Sequence, residues 1–113
     1  MAEGLKRGDV VVVSIPGEFG KPRPAVIVQS DMLSGRTEGL IVCPLTSSLT
    51  VGTKTRPRLD PSAKNGLRLP SQAMSDKITT VHMRKVRSKI GQLDREDLLR
   101  IDLSLDLVLG LLD

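Results

Sequence analysis

The sequence predicts a mainly β fold of the α+β class, a small β-barrel or sandwich followed by one C-terminal helix. Two observations carry this prediction. Short runs of β-branched and other apolar residues alternate with turns that contain Gly or Pro, which is typical of strands. Residues 94–113 are instead rich in leucine and form too long a segment for an ordinary strand. The length of 113 residues is expected to form a single domain, 1–113.

Three apolar runs predict the first three strands. They span residues 10–15, 24–28 and 40–43. The segment 16–22 between the first two runs holds several Gly and Pro residues and is predicted to be a loop. The third run ends at Pro44 and leads into the hydroxyl-rich Thr46-Ser47-Ser48.

The second half of the chain predicts shorter strands. Residues 54–59 carry polar side chains around Pro57 and are predicted to form an edge strand at most. Asn65-Gly66 predicts a turn, because both residues tolerate positive φ. Further short strands are predicted at 67–69 and 78–81.

The leucine-rich C-terminus fits two periodicities. Apolar residues at every odd position from 99 to 111 would suit a strand, whereas a helical stripe runs through Leu98, Ile101, Leu105, Val108 and Leu112. The helix is favoured because the segment is long, Leu is a good helix former and Asp94 can cap the first turn. A second row of leucines lies largely outside this stripe, at Leu99, Leu103, Leu107 and Leu111. A small monomer would struggle to cover both faces, so we expect part of the helix to be buried in a homodimer.

Charge is distributed unevenly along the chain. Residues 1–93 carry 15 Lys or Arg against seven Asp or Glu, a net charge of +8. Residues 94–113 carry two against six, a net charge of −4. A basic body attracts polyanions, which makes RNA, DNA or an acidic protein plausible partners. The alternative is a solvated surface that only keeps the protein soluble.

The rare residue types exclude several kinds of site. Phe19 is the only aromatic residue, which excludes a base-stacking platform for nucleic acid. Cys43 and His82 are each single, which excludes an intrachain disulfide and a cysteine zinc cluster and leaves little for Ser-His-Asp or Cys-His catalysis. No metal or cofactor is predicted. No membrane-spanning run or signal-peptide core is present, so a cytoplasmic protein is expected.

Short motifs follow one another over nearly the whole chain. They are Arg7-Gly8-Asp9 with the valines that follow it, Lys21-Pro22-Arg23-Pro24-Ala25, Cys43-Pro44-Leu45-Thr46-Ser47, Asn65-Gly66-Leu67, Met74-Ser75-Asp76-Lys77, Ile90-Gly91-Gln92-Leu93 and Leu109-Gly110-Leu111. In this order and spacing they resemble the MazF/PemK (Kid) family, toxins of toxin–antitoxin modules that are sequence-specific, ribosome-independent endoribonucleases.

The resemblance has several implications. The fold would be an SH3-like antiparallel barrel with a C-terminal helix, working as a homodimer that binds single-stranded RNA between its subunits. A cognate antitoxin would inhibit it with an acidic, partly disordered tail that covers the basic groove and blocks the loop around Glu18 to Lys21.

The resemblance assigns catalysis to Arg23 and Thr46. RNA cleavage without a metal ion needs a base for the ribose 2′-hydroxyl, donors for the phosphorane and an acid for the departing 5′-oxygen. It leaves 2′,3′-cyclic phosphate and 5′-hydroxyl ends. Arg23 can hold two phosphate oxygens, and the Thr46 hydroxyl can donate to a non-bridging oxygen. The alternatives are a surface arginine and a strand-end threonine that bonds its own backbone.

Two carboxylates are candidates for the general base, Glu18 in the first loop and Asp76. Asp76 has two alternative roles, orienting Arg23 or pairing with Lys77. His82 is tempting as a general acid, but we expect it to lie at the surface or in a turn.

The segment after Asp76 departs from a common family pattern. Many members carry Gln, then Ile, Val or Pro, then Arg, where this chain has Lys77, Ile78 and Thr79. On a strand, Lys77 and Thr79 would share a face. Lys77 would then replace the missing charge, or else cleavage would be weaker or differently specific.

RNA binding is expected from residues spread along the chain. They are Lys21, Ser47, Lys54, Arg56, Lys77, Thr79 and Arg84. The densest basic patches, 54–58 and 84–89, are expected to attract phosphates nonspecifically, with a purely solvated face as the alternative. Cys43, inside an apolar run, is expected in the core rather than as a nucleophile.

Two other functions are compatible with the same barrel. One is a non-enzymatic poison like the related CcdB proteins that bind DNA gyrase, which would need the end of the C-terminal helix rather than Arg23 and Thr46. The other is an inactive binding module, suggested by the altered segment 77–79.

Overall fold

The computed structural model describes residues 4–15, 17 and 21–112, which contain seven strands and one α-helix. The strands are β1 (Asp9–Ser14), β2 (Pro22–Ile27), β3 (Gly39–Thr46), β4 (Arg58–Leu59), β5 (Ser71–Ala73), β6 (Thr79–His82) and β7 (Val86–Gln92), and the helix is α1 (Arg95–Leu109). Short 3-10 turns occupy Asp31–Leu33, Ser75–Lys77 and Met83–Lys85.

The strands form one curled antiparallel sheet in the order β4-β5-β3-β2-β1-β7. The long strand β3 lies at its centre. One edge of β3 pairs with β2, while the other edge pairs with β6 along its first half and with β5 at its last two residues. The sheet is a half-barrel followed by one C-terminal helix, so the predicted α+β class is confirmed.

The two faces of the sheet bury separate apolar clusters. Val10 belongs to the cluster that includes Ile101 and Leu105 of α1, whereas Val11 and Val13 belong to the other. This division follows from the two-residue period of a strand. Because both faces of the central strands are buried, they occur in the sequence as continuous apolar runs rather than alternating ones.

The helix begins at the predicted cap. The Asp94 carboxylate accepts a hydrogen bond from the backbone N–H of Asp97 at 2.8 Å, and Gly110 ends the helix with a φ of 67°. Ile101 and Leu105 are buried, while Leu112 lies beyond the helix and is exposed. The second leucine row is exposed by 55 to 64%, at Leu99, Leu103, Leu107 and Leu111. The structure therefore confirms a helix with two apolar faces, of which the sheet covers one.

The predicted Asn65-Gly66 turn packs against β7. Gly66 has a φ of 71°, and a Cβ there would lie 2.1 Å from the carbonyl oxygen of Ile90. A Cβ on Gly91 would lie 2.3 Å from the backbone of Asn65. Glycine at both positions is what allows the two chain segments to meet backbone to backbone.

The second half of the chain corrects several strand predictions. Residues 67–69 form no strand and belong to a loop, since the positive φ of Gly66 and the missing N–H of Pro70 interrupt pairing on either side. Within 54–59 only β4 pairs, as an edge strand. The sequence does not predict strand β7, because its mostly polar residues show no regular alternation of apolar and polar side chains. The predicted strand at 78–81 is present as β6.

Within the described ranges, no helix is both long enough and apolar enough to span a bilayer.

Candidate functional site

Arg23 and Thr46 lie at neighbouring ends of β2 and β3. The antiparallel register pairs Ala25 with Pro44. Continued by two residues, the same register brings Arg23 opposite Thr46. Residues two apart on a strand share a face, so both side chains start from one face of the sheet. Pairing of β2 with β3 thus brings together two residues that are distant in the sequence.

Both residues line a pocket of about 570 Å³, a volume in the usual range for small-ligand sites. Its apolar walls come from Val12, Leu45, Leu67 and Ile90, and its polar groups include Ser47 and Arg68. The residues around the pocket therefore include an arginine and several hydroxyl residues beside apolar ones, and these residue types can hold a phosphate beside a less polar group.

The Thr46 hydroxyl makes a contact within its own turn. The backbone N–H of Ser48 donates to Thr46 Oγ1 at 3.1 Å. This is the strand-end backbone bond that the sequence left as an alternative to catalysis. Because the oxygen accepts this bond, the hydroxyl keeps its own hydrogen as a donor. The structural role and a phosphate-binding role are therefore compatible.

Sequence reasoning misses Gln72, which pairs with Thr46 across β3 and β5. Its side chain is nearly buried, with 7% exposed. Its amide oxygen accepts from the backbone N–H of Thr50 at 2.6 Å, and its amide nitrogen donates to the Thr50 carbonyl at 2.8 Å. A glutamine between Ser71 and Ala73 carries no sequence signal for these partners, because they depend on the register of the sheet.

Asp76 forms a two-point ion pair with Arg56. Nε of Arg56 donates to Oδ1 at 3.0 Å, and Nη2 donates to Oδ2 at 3.1 Å. The hydrogen bonds from Arg56 hold the pKa of Asp76 below its ordinary value of 3.8. The ion pair thus joins Asp76 to Arg56 rather than to Lys77. Neither Asp76 nor Arg56 is among the residues that line the pocket.

Two other predicted residues, Lys21 and Ser47, lie at the pocket end of the sheet. Lys21 is exposed directly before β2, and Ser47 lines the pocket. Lys54 is exposed in the loop between β3 and β4. Glu18 lies outside the described residues.

Lys77 and Thr79 do not share a strand face, contrary to expectation. Lys77 ends the 3-10 turn Ser75–Lys77, and β6 begins only at Thr79. Thr79 lies opposite Val42 in the middle of β3. The turn forms before the strand because Ser75 is buried and anchored to α1 by a 2.5 Å hydrogen bond to the Ser104 hydroxyl.

Arg84 lies at the opposite end of β3 from Thr46. Its turn, Met83–Lys85, meets the residue before β3, where the Met83 N–H donates to the Glu38 carbonyl. The rise of a strand puts this end roughly 23 Å from Thr46. His82 Nδ1 accepts from the N–H of Arg84 at 3.1 Å, which confirms the predicted turn role of His82.

Part of the predicted basic surface is already paired. Besides Arg56, Arg58 pairs with Asp60 at 2.9 Å and Lys89 pairs with the buried Asp9 at 3.3 Å. Lys54, Arg84 and Lys85 are exposed. The three paired cations are therefore less available to a phosphate than these exposed ones.

Cys43 is buried in the core, as predicted. Burial raises the pKa of its thiol to about 12, so it is not a nucleophile at neutral pH. In the part of the chain that the structure describes, no group of three or more His, Cys, Asp or Glu side chains is arranged to hold a metal ion.

Solved structures share this fold. A mycobacterial endoribonuclease in complex with its cognate antitoxin superposes with a TM-score of 0.80 at 21% identity, covering 96% of this chain and 97% of that one. The toxin MazF-mt6 of Mycobacterium tuberculosis gives 0.78 at 20% identity, covering 90% and 96%. A MazE–MazF complex from Deinococcus radiodurans gives 0.76 at 21% identity, covering 94% and 95%.

Similarity in sequence identifies the family, whereas the solved structures show only the fold. A protein of Mycolicibacterium smegmatis named probable endoribonuclease MazF is 35% identical over 108 residues, which cover 95% of this chain and 98% of that protein. The sequence profile described as "PemK-like, MazF-like toxin of type II toxin-antitoxin system" matches residues 6–109. The chain therefore belongs to the PemK-like, MazF-like toxin family of type II toxin–antitoxin systems, as its ordered motifs predict.

Proposed function

We propose that this chain is a sequence-specific endoribonuclease toxin that cleaves single-stranded RNA in the cytoplasm. One observation carries the proposal. Arg23 and Thr46 line a single pocket, and they occupy the positions where the family resemblance places its catalytic arginine and threonine. The name of the Mycolicibacterium smegmatis relative, probable endoribonuclease MazF, supports the same activity.

The proposed reaction is an internal transesterification. The ribose 2′-oxygen gives its proton to a base and forms a bond to the adjacent phosphorus, and the bond from phosphorus to the 5′-oxygen breaks as that oxygen takes a proton. The products carry a 2′,3′-cyclic phosphate and a 5′-hydroxyl. Arg23 and Thr46 donate to the non-bridging oxygens, whose negative charge is greatest in the phosphorane. Neither role requires a metal ion.

The two candidate general bases, Asp76 and Glu18, are not equally well supported. Both oxygens of Asp76 accept hydrogen bonds from Arg56, and its lowered pKa makes it a weak base. We therefore favour Glu18, which the sequence places five residues before Arg23. The comparison of Glu18→Gln with Asp76→Asn separates them, since the proposal expects only Glu18→Gln to remove the acidic limb of the pH–rate profile, where the rate rises as the base loses its proton.

The proposed antitoxin is an acidic chain that covers the RNA site. Its attraction to this protein would come from the net charge of +8 over residues 1–93, with Lys21 at the pocket end of the sheet. Two of the structural neighbours are complexes of a toxin with an antitoxin, which supports this kind of partner. An acidic segment would compete with RNA for the same cations, so binding of either should weaken with salt.

A homodimer is proposed from the exposed leucine row of α1. Leu99, Leu103 and Leu107 are each more than half exposed and follow one another at helical spacing. A second copy of the chain would cover this row. Sedimentation tests it, because Leu103→Asp should shift the chain to a monomer, and a wild-type monomer at micromolar concentration would contradict the dimer.

The test of the activity uses a long single-stranded RNA incubated with the purified protein in excess EDTA. The proposal expects discrete cuts with 2′,3′-cyclic phosphate ends, lost in Arg23→Ala and Thr46→Ala. Arg36→Ala is the matched control, because Arg36 is an exposed arginine away from the pocket. Intact RNA together with inhibited DNA gyrase would instead support the CcdB-like alternative, and intact RNA with gyrase unaffected would support a binding module.

A further inference from the structure

We propose that Gln72 is a positioning residue that orients the Thr46 hydroxyl by holding the chain at Thr50. This inference rests on the proposed endoribonuclease function, in which Thr46 donates to the scissile phosphate. Gln72 itself does not line the pocket and is nearly buried, so it is placed to act through its neighbours rather than on RNA.

The first support is the pairing of Gln72 with a single backbone residue. Its amide oxygen and amide nitrogen bond the N–H and the carbonyl of Thr50 at 2.6 and 2.8 Å. Two bonds to one peptide residue fix both its position and its orientation, as a paired strand residue would be fixed. Gln72 thus ties Thr50, four residues beyond the end of β3, to strand β5.

The second support is the exposure of the segment that Gln72 holds. Leu49 is 41% exposed and Val51 is 97% exposed, so little apolar burial ties this loop to the body. The chain from Thr46 to Thr50 is therefore fixed at two places, at one end by β3 and at the other by Gln72. A loop without the second anchor would sample many conformations.

The third support connects this anchor to the catalytic hydroxyl. Ser48 lies between the two fixed places, and its N–H donates to Thr46 Oγ1 at 3.1 Å. That bond sets the χ1 angle of Thr46 and the direction of its remaining O–H donor. Thr46 and Gln72 are also direct cross-strand partners, so their side chains adjoin on one face. Loss of the Thr50 anchor would free Ser48 and with it the hydroxyl.

The first experiment measures RNA cleavage in Gln72→Met, which keeps the length and burial of the side chain but makes neither bond. We expect kcat to fall about tenfold with KM changed by less than about twofold, because RNA binding is retained and transition-state contact is lost. The matched control is Gln29→Met at the other end of β3. Gln29 is also buried, and its amide oxygen accepts from the Ile41 N–H at 3.2 Å. Equal losses in both variants would overturn the proposal.

The second experiment separates positioning from a general loss of structure. In a Thr46→Ala background, Gln72→Met should change kcat by less than about twofold, because the group it positions is absent. A full tenfold effect in that background would show that Gln72 acts independently of Thr46 and would overturn the proposal.

A third measurement does not depend on the enzymatic function. Amide hydrogen exchange at Ser48 and Thr50 should speed up by about tenfold or more in Gln72→Met and stay unchanged in Gln29→Met. Unchanged exchange at Ser48 overturns the positioning role even if cleavage falls. If wild-type protein leaves RNA intact, the proposed function fails, while this exchange result still decides whether Gln72 holds the loop.

Should Gln72→Met fail to fold, Gln72→Glu replaces it. A protonated glutamic acid can both accept from the Thr50 N–H and donate to its carbonyl, whereas the carboxylate only accepts. Relative to wild type, kcat of this variant should therefore fall as pH rises through the pKa of the introduced carboxyl. A constant ratio across the pH range would overturn the proposal.

Discussion

The two ends of β3 are built from similar parts, but they differ in the space beside them. The Thr46 end borders a pocket of about 570 Å³, whereas the cavity lined by Leu40 and Met83 near the Gly39 end measures about 10 Å³. A cavity of that size barely holds one water molecule. Yet each end has a nearly buried glutamine bonded to backbone, and each has exposed basic residues close by.

The difference comes from the size of the neighbouring side chains. At the Gly39 end, Met83 and Val81 pack against Leu40 in one apolar cluster and fill the space. At the Thr46 end the neighbours Ser47 and Ser71 are small and polar, and they leave the pocket open. Positive charge alone therefore does not locate the site, because Arg84 lies on the closed end. The proposed site is instead distinguished by an arginine and a threonine that line one open volume.

Replacing an arginine at each end gives the largest expected contrast. Arg23→Ala should lower the single-turnover RNA cleavage rate by about 10²–10³-fold, since a preorganised donor to the developing charge is lost. Arg84→Ala should lower it by less than about threefold, because a distant phosphate contact contributes mainly to binding. Cleavage rates measured at fixed ionic strength test both. Similar losses at the two ends would break the distinction between them.

Thr46 gives the next largest effect. Thr46→Val keeps the shape and strand preference of the side chain but removes the hydroxyl, and it should slow cleavage by about 10–100-fold, the range for a hydrogen bond to a charged group. Thr46→Ser restores the donor and should recover most of the rate. The product ends should remain 2′,3′-cyclic phosphates in both variants. A Thr46→Val rate equal to wild type would assign Thr46 only the backbone role.

The pocket residues could be predicted from sequence because they lie inside motifs. Arg23 and Thr46 each lie beside a buried apolar run, and those runs predict the strands whose pairing brings the two residues together. The helix could be predicted for a similar reason, since Asp94 and the leucine spacing are local signals. Patterns within a few adjacent residues are therefore enough to predict the central strands, the helix, and the positions of Arg23 and Thr46 at the strand ends.

The remaining features depend on contacts between distant segments. Nothing near Asp76 in the sequence indicates that Arg56, in the loop before β4, takes both of its oxygens. The bonds from Gln72 to Thr50 require the β3–β5 register, which one three-residue strand does not reveal. Strand β7 lacks apolar alternation because it lies at an edge and is mostly exposed. Such pairings follow from the folded topology rather than from local pattern.

Replacing one glycine near each end of β3 by alanine tests the same difference through the free energy of unfolding. Gly66→Ala at the pocket end should lower the free energy of unfolding by about 2 kcal/mol or more, because Gly66 has positive φ and an added Cβ meets the rigid carbonyl of Ile90. Gly39→Ala at the closed end should cost less than about 1 kcal/mol, since its Cβ meets the side chain of the exposed Thr80, which can rotate away. Urea unfolding measures both, and a larger loss in Gly39→Ala would contradict the prediction.

The smallest expected effect concerns the Asp76–Arg56 ion pair. Because Arg56 lowers the pKa of Asp76 in the folded state, the pair stabilises the protein above the ordinary aspartate pKa of 3.8. That contribution should disappear as pH falls through the lowered pKa, when the folded state also binds the proton. Asp76 is about one third exposed, so solvent screening keeps the effect small. Urea unfolding should show wild type above Asp76→Asn at neutral pH, with the gap closing in strong acid, and a gap that persists there would mean that shape rather than charge joins Asp76 to Arg56.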